Sequence, residues 1–149
     1  MKKLIIYVLL ALVISCSGTG QKSVISPYQY YGQYLQFLKA KDYDAAIDML
    51  SAYNQKRFQS RNTQESFEEF FPFFSSVDSV VVKEFAHYQE VGKAKACLTV
   101  SGFNLAGEPA SLNFELLNER SGWKFNYVHM AYHDSKNEFP KAAVCPEIL

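Results

Sequence analysis

Histidine, tryptophan and cysteine are scarce: three, one and three of 149 residues. Neither sign of charge dominates, with fifteen Lys and Arg against fifteen Asp and Glu. Such a balanced chain lacks the basic excess that neutralises nucleic-acid phosphates, so no nucleic-acid partner is expected. No glycine-rich phosphate loop, zincin helix or Gly-x-Ser-x-Gly elbow occurs, which removes the usual signatures of phosphoryl transfer, metalloproteolysis and serine hydrolysis. No second ligand stands at a zinc-like spacing from Cys97 or Cys145, so no metal and no cofactor are expected. No internal repeat is visible. The N-terminal apolar run, Leu4 to Ile14, is eleven residues long, well short of the roughly 20 that a membrane-spanning helix needs.

That short run is informative in its own right. Met1-Lys2-Lys3 precedes it and Ser15 follows it, the charged, apolar and small-residue regions of a secretory signal. Its end, Val13-Ile14-Ser15-Cys16, resembles a bacterial lipobox. The resemblance implies cleavage before Cys16 and acylation of its thiol and new amine. Each buried acyl CH₂ contributes about 0.8 kcal/mol, so several chains hold a protein on a membrane almost irreversibly. Ser17, where an aspartate would signal retention, favours the outer membrane, with the domain facing the periplasm. Residues 1–15 are thus expected to be a signal peptide, 16–25 a lipidated cysteine with a polar tether, and 26–149 a single domain. Losing Lys2 and Lys3 leaves thirteen basic against fifteen acidic residues, a net charge of about −2. Cys97 and Cys145 remain, and an even pair in an oxidising envelope suggests a disulfide. The chain-entropy model credits such a long loop with roughly 4 kcal/mol at most.

The domain is rich in aromatics, ten Tyr and twelve Phe, which bury large areas each. Ser26-Pro27 reads as an N-cap followed by proline at the first helical position. Tyr28, Tyr31, Tyr34, Leu35 and Leu38 then share one helical face. Asp42 caps a second helix carrying Ala45, Ala46, Met49, Leu50 and Tyr53. A third is expected from Asn62, with Glu65 as a capping-box partner and a stripe of Phe67, Phe70, Phe71 and Phe74. Pro72 should kink or end it. From Val77 the period changes. Strands are expected from Val80 to Tyr88, Lys93 to Leu105, Ser111 to Leu117 and Trp123 to Tyr132, separated by polar turns. On strict alternation the last strand points Trp123, Phe125, Tyr127 and His129 to one face. Leu117, Val128, Met130 and Tyr132 would then point to the other.

Helices followed by a meander give an α+β class: three N-terminal helices packed on a curved antiparallel meander of about four strands. Three helices, four long strands and a last hairpin of Leu112-x-Phe114-x-Leu116 and Gly122-Trp123-Lys124-Phe125 resemble the cone-shaped nuclear transport factor 2-like superfamily, with a cystatin-like or other helix-plus-meander fold as the competing reading. That resemblance implies a pocket between sheet and helices, here lined by Tyr31, Phe67, Phe71, Trp123, Phe125, Tyr127 and His129.

Three functions are compatible with these features. The first is a non-enzymatic, membrane-anchored envelope lipoprotein that binds a protein partner, a second copy of itself or a small apolar ligand. The second is a small-molecule enzyme of isomerase or dehydratase type. It would use a pocket histidine and tyrosine, His129 or His87, as acid or base. The third is an immunity protein against an envelope toxin. His133, beside Asp134, is expected at the surface.

Overall fold

The computed structural model describes residues 25–60 and 66–147. The signal segment, Cys16, the tether up to residue 24 and the Asn62–Glu65 cap lie outside these residues. The described chain is α+β. Helices α1 (Pro27–Ala40), α2 (Tyr43–Asp48) and α3 (Ala52–Ser60) are followed by three single turns, α4 (Phe67–Phe70), α5 (Pro72–Ser75) and α6 (Val77–Val80). Strands β1 (Lys83–Val91), β2 (Lys95–Phe103), β3 (Pro109–Glu119) and β4 (Gly122–Tyr132) form one antiparallel sheet in the order β1-β2-β3-β4.

Local chemistry explains the helix ends. Ser26 Oγ accepts from the Gln29 amide, while Gln29 Oε1 accepts from the Ser26 amide, so the two close a capping box before Pro27. Asp42 caps α2 by accepting from the Ala45 amide. The expected second helix does not continue to Tyr53. It breaks at Met49–Ser51, because those main-chain groups pair instead with β4: Phe125 N–H donates to Met49 O and Ser51 N–H to Phe125 O. This pairs the outer edge of β4 at Phe125, where strand groups would otherwise be left unpaired. In place of one long third helix, Pro72 starts a new turn, as its missing N–H dictates. Ser66 and Glu69 form a capping box that begins α4. The run from Val80 is not yet strand, since Val77–Val80 is a helical turn and β1 starts at Lys83.

One sheet face packs on the helices. Leu98, Val100, Leu112, Phe114, Leu116 and Phe125 are fully buried there, with Tyr31 of α1 against Phe114 and Tyr34 against Phe125. Two irregularities re-aim side chains. In β1 the register slips between Glu84 and Ala86, opposite Gly102. A Cβ at Gly102 would stand 2.3 Å from Lys83 O and 2.8 Å from Val81 Cγ1. The bulge is possible only because residue 102 has no side chain. Gly102→Ala is expected to destabilise the fold by about 1–3 kcal/mol through overpacking. Urea unfolding should show a lower midpoint, and amide exchange should quicken first in β1. An unchanged midpoint would mean that β1 can step back freely.

The second irregularity lies in β4. Leu116 pairs with Phe125 but Glu115 pairs with Tyr127, leaving Asn126 as an extra residue. The parity of β4 therefore reverses beyond Phe125. Val128 is buried and Met130 packs against the helix-side core. Tyr127 and His129 turn to the other face and are exposed. Strict alternation placed these four the other way round.

Candidate functional site

The residues expected to line a pocket divide into two groups. Tyr31, Phe67, Phe71, Trp123 and Phe125 are buried on the helix side. Tyr127 and His129 lie across the sheet from them. The buried group is filled by its own rings. Phe125 stands 5.0 to 5.2 Å, centroid to centroid, from Tyr34, Phe114 and Tyr30, and Tyr31 stands 5.3 Å from Phe114. These are packed aromatic distances. Phe67, Phe71 and Phe74 continue the cluster at 5.8 to 5.9 Å. Tyr30 donates to Met49 O and Tyr34 to Phe74 O. The Tyr31 hydroxyl is buried and has no hydrogen-bond partner among the described residues. Burial holds the Tyr30, Tyr31 and Tyr34 phenols well above their usual range.

His87 does not face His129. It lies on the helix side of β1, stacked on Tyr28 at 3.5 Å between ring centroids. Its Nδ1 is 2.8 Å from Glu84 Oε1, and Tyr28 donates to the same carboxylate at 2.8 to 3.0 Å. Burial first, then this hydrogen bond, pushes the Tyr28 phenol up to about 12. The β1 bulge makes the cluster, because it brings Glu84 and His87 to the same face. Tyr28 N–H also donates to Gln89 Oε1, so the group fastens the start of α1 to the edge strand.

The opposite sheet face carries a stripe that sequence patterning missed. Thr99, Ser101, Ser111, Asn113 and Glu115 are all buried there. Thr99 donates to Asn113 Oδ1, and Ser101 and Ser111 share a 2.8 Å hydrogen bond. Glu115 binds Asn126 Nδ2 at 2.8 Å and Lys95 Nζ at 3.3 Å. The C-terminal segment covers the stripe. Cys145 is bonded to Cys97, 48 positions away, and Val144 N–H donates to Thr99 Oγ1. Farther back, Phe139 is buried against Phe85, Phe103 and His133. Exposed Tyr88, Tyr127 and His129 flank this covered face: Tyr88 and His129 terminate the row through Thr99 and Asn113, while Tyr127 pairs with Glu115.

His133, expected at the surface, is half-buried, with Nε2 2.9 Å from Ser111 Oγ. The distance suits a nucleophile and its base. Ser111 is fully buried, however, and its hydroxyl also bonds Ser101, so no acyl group can reach it. The pair fastens the end of β4 to the sheet. Among the described residues no cluster of three or more His, Cys, Asp or Glu could hold a metal ion, and no helix is long and apolar enough to cross a membrane.

Comparison with protein-family models, with curated proteins and with solved structures gives no match.

Proposed function

We propose that this chain is a lipid-anchored, non-enzymatic protein of the bacterial envelope. It acts by binding a protein partner through its surface, on a cone of the nuclear transport factor 2-like kind whose helical layer comes from its N-terminal half. The carrying observation is the Tyr30, Tyr34, Phe114 and Phe125 rings, packed against one another between helices and sheet. That packing favours a surface role over a small apolar ligand or an enclosed His/Tyr chemistry. The Cys97–Cys145 bond accords with an oxidising compartment outside the inner membrane. Cys16 supplies the anchor in this reading, and the acyl chains restrict the domain to the membrane surface. The exposed Tyr127 and His129 beside the covered stripe are the side chains offered to a partner, since tyrosine contributes large contact area at low entropic cost.

The test uses the full-length gene in a bacterial host. Intact mass of the purified protein should show removal of residues 1–15 and acylation at Cys16, both lost in Cys16→Ser. Native mass spectrometry should show no small molecule that leaves on denaturation. A photo-crosslinking residue at position 127 should give a discrete protein adduct in intact cells, and one at exposed Leu105 should not. Retained small-molecule mass, an unacylated Cys16, or equal adducts at both positions would overturn the proposal.

A further inference from the structure

The C-terminal segment is held in an unusual way for a buried contact. What lies beneath it is hydroxyl and carboxamide: Thr99, Ser101, Ser111 and Asn113, each bonded to another member of the stripe or to His133. Burial of apolar area, which normally pins a tail to a sheet, is concentrated at Phe139, where the segment begins. Beyond it Lys141, Ala142 and Val144 are exposed. Among the described residues, the remaining attachments are the Val144 hydrogen bond, buried Pro146 and the covalent Cys97–Cys145 bond. Polar groups already paired with one another lose little when the face above them is wetted, because water replaces the tail's single donor.

We propose that residues 140–147 are a thiol-releasable strap. Reduction of Cys97–Cys145 frees it from the sheet as far as Phe139, exposes the polar stripe, and leaves the domain folded. The reductant is a dithiol. One of its thiolates attacks a sulfur of the bond, giving a mixed disulfide and one free protein thiolate. Its second thiol then displaces the other cysteine. Two electrons and two protons pass to Cys97 and Cys145, and the reductant leaves as its own disulfide. The helix-side core takes no part, since Cys97 faces away from Leu98, Phe114 and Phe125. The proposal depends neither on the lipid anchor nor on the identity of any partner.

The experiment takes the processed protein from a bacterial envelope and adds dithiothreitol without denaturant. Alkylation followed by intact mass counts the free thiols. Hydrogen exchange reports the Val144 amide, and the near-ultraviolet circular dichroism of Trp123, buried on the helix side, reports the core. Expected are two alkylated cysteines, a Val144 exchange rate raised roughly tenfold or more, protection within β3 nearly unchanged, and a retained Trp123 signal. The double variant Cys97→Ser with Cys145→Ser should show the same pattern without reductant. Reduction that proceeds only as the core unfolds, a Val144 amide still protected after both thiols are free, or a double variant that does not fold would each overturn the strap.

Discussion

Phe125→Ala is expected to destabilise the domain by about 3–5 kcal/mol, the range for emptying a large aromatic position in a packed core. Phe125 is fully buried and its ring meets Tyr30, Tyr34 and Phe114. These neighbours are held by α1 and by the sheet, so they cannot collapse into the space. Domains of this size are stable by only about 5–15 kcal/mol, so the loss removes a large share of the total. The Phe125 main-chain bonds to Met49 and Ser51 survive the substitution, which isolates the side-chain contribution. Urea unfolding should show a much lower midpoint with an unchanged slope. The matched control is Tyr127→Ala, two positions along. Its ring is exposed, and the change should cost no more than about 0.5 kcal/mol. Equal costs at the two positions would mean that β4 runs without its bulge.

That contrast shows what patterning could and could not reveal. The stops and starts were legible where one side chain carries the physics: Ser26 with Pro27, Asp42, and Pro72. The helix-side residues of β2 and β3 were legible too, because Ala96, Leu98 and Val100, and Leu112, Phe114 and Leu116, keep period two. The β4 face was not, because an extra residue at Asn126 resets the period. Nothing adjacent signals it. The partners that hold Asn126 are distant in sequence: Ser51 donates to its Oδ1, Asn54 donates to its carbonyl, and Glu115 accepts from its Nδ2. The same tertiary pairing stops α2 at Met49, although the apolar spacing runs on to Tyr53. Gly102 did offer a readable hint of the β1 bulge, since a glycine within a strand often marks one. The pair Cys97 and Cys145 suggested a bond, but only the register shows that it lies over a polar stripe.

Alkaline pH is expected to unfold the domain steeply, and the buried tyrosines set the direction. Burial leads the upward shift of the Tyr30, Tyr31 and Tyr34 phenols from the ordinary value of 10.0. The folded state therefore keeps protons that the unfolded chain releases near that value. The corresponding stability is fully present below pH 10 and drains away as pH rises above it. One unit higher, each of the three removes about 1.4 kcal/mol, or about 4 kcal/mol together, comparable to the Phe125→Ala loss. Tyr31→Phe tests the account most sharply. The Tyr31 hydroxyl is buried without a partner among the described residues, so its removal relieves a desolvated polar group and should leave neutral stability unchanged or raise it by about 1 kcal/mol. It also deletes one of the three linked protons, so the alkaline midpoint should move upward. Tyr34→Phe gives up the bond to Phe74 O and should lose about 1 kcal/mol at neutral pH, while still flattening the alkaline fall. The measurement pairs sheet circular dichroism with the ultraviolet absorbance of tyrosinate across the pH scale. Tyrosinate should appear in one step with loss of the sheet for these buried groups. Full tyrosinate absorbance, that of the buried rings as well as the exposed ones, reached smoothly while the sheet signal holds would show that the buried rings are reached by solvent in the folded state, and would reopen the core to a ligand.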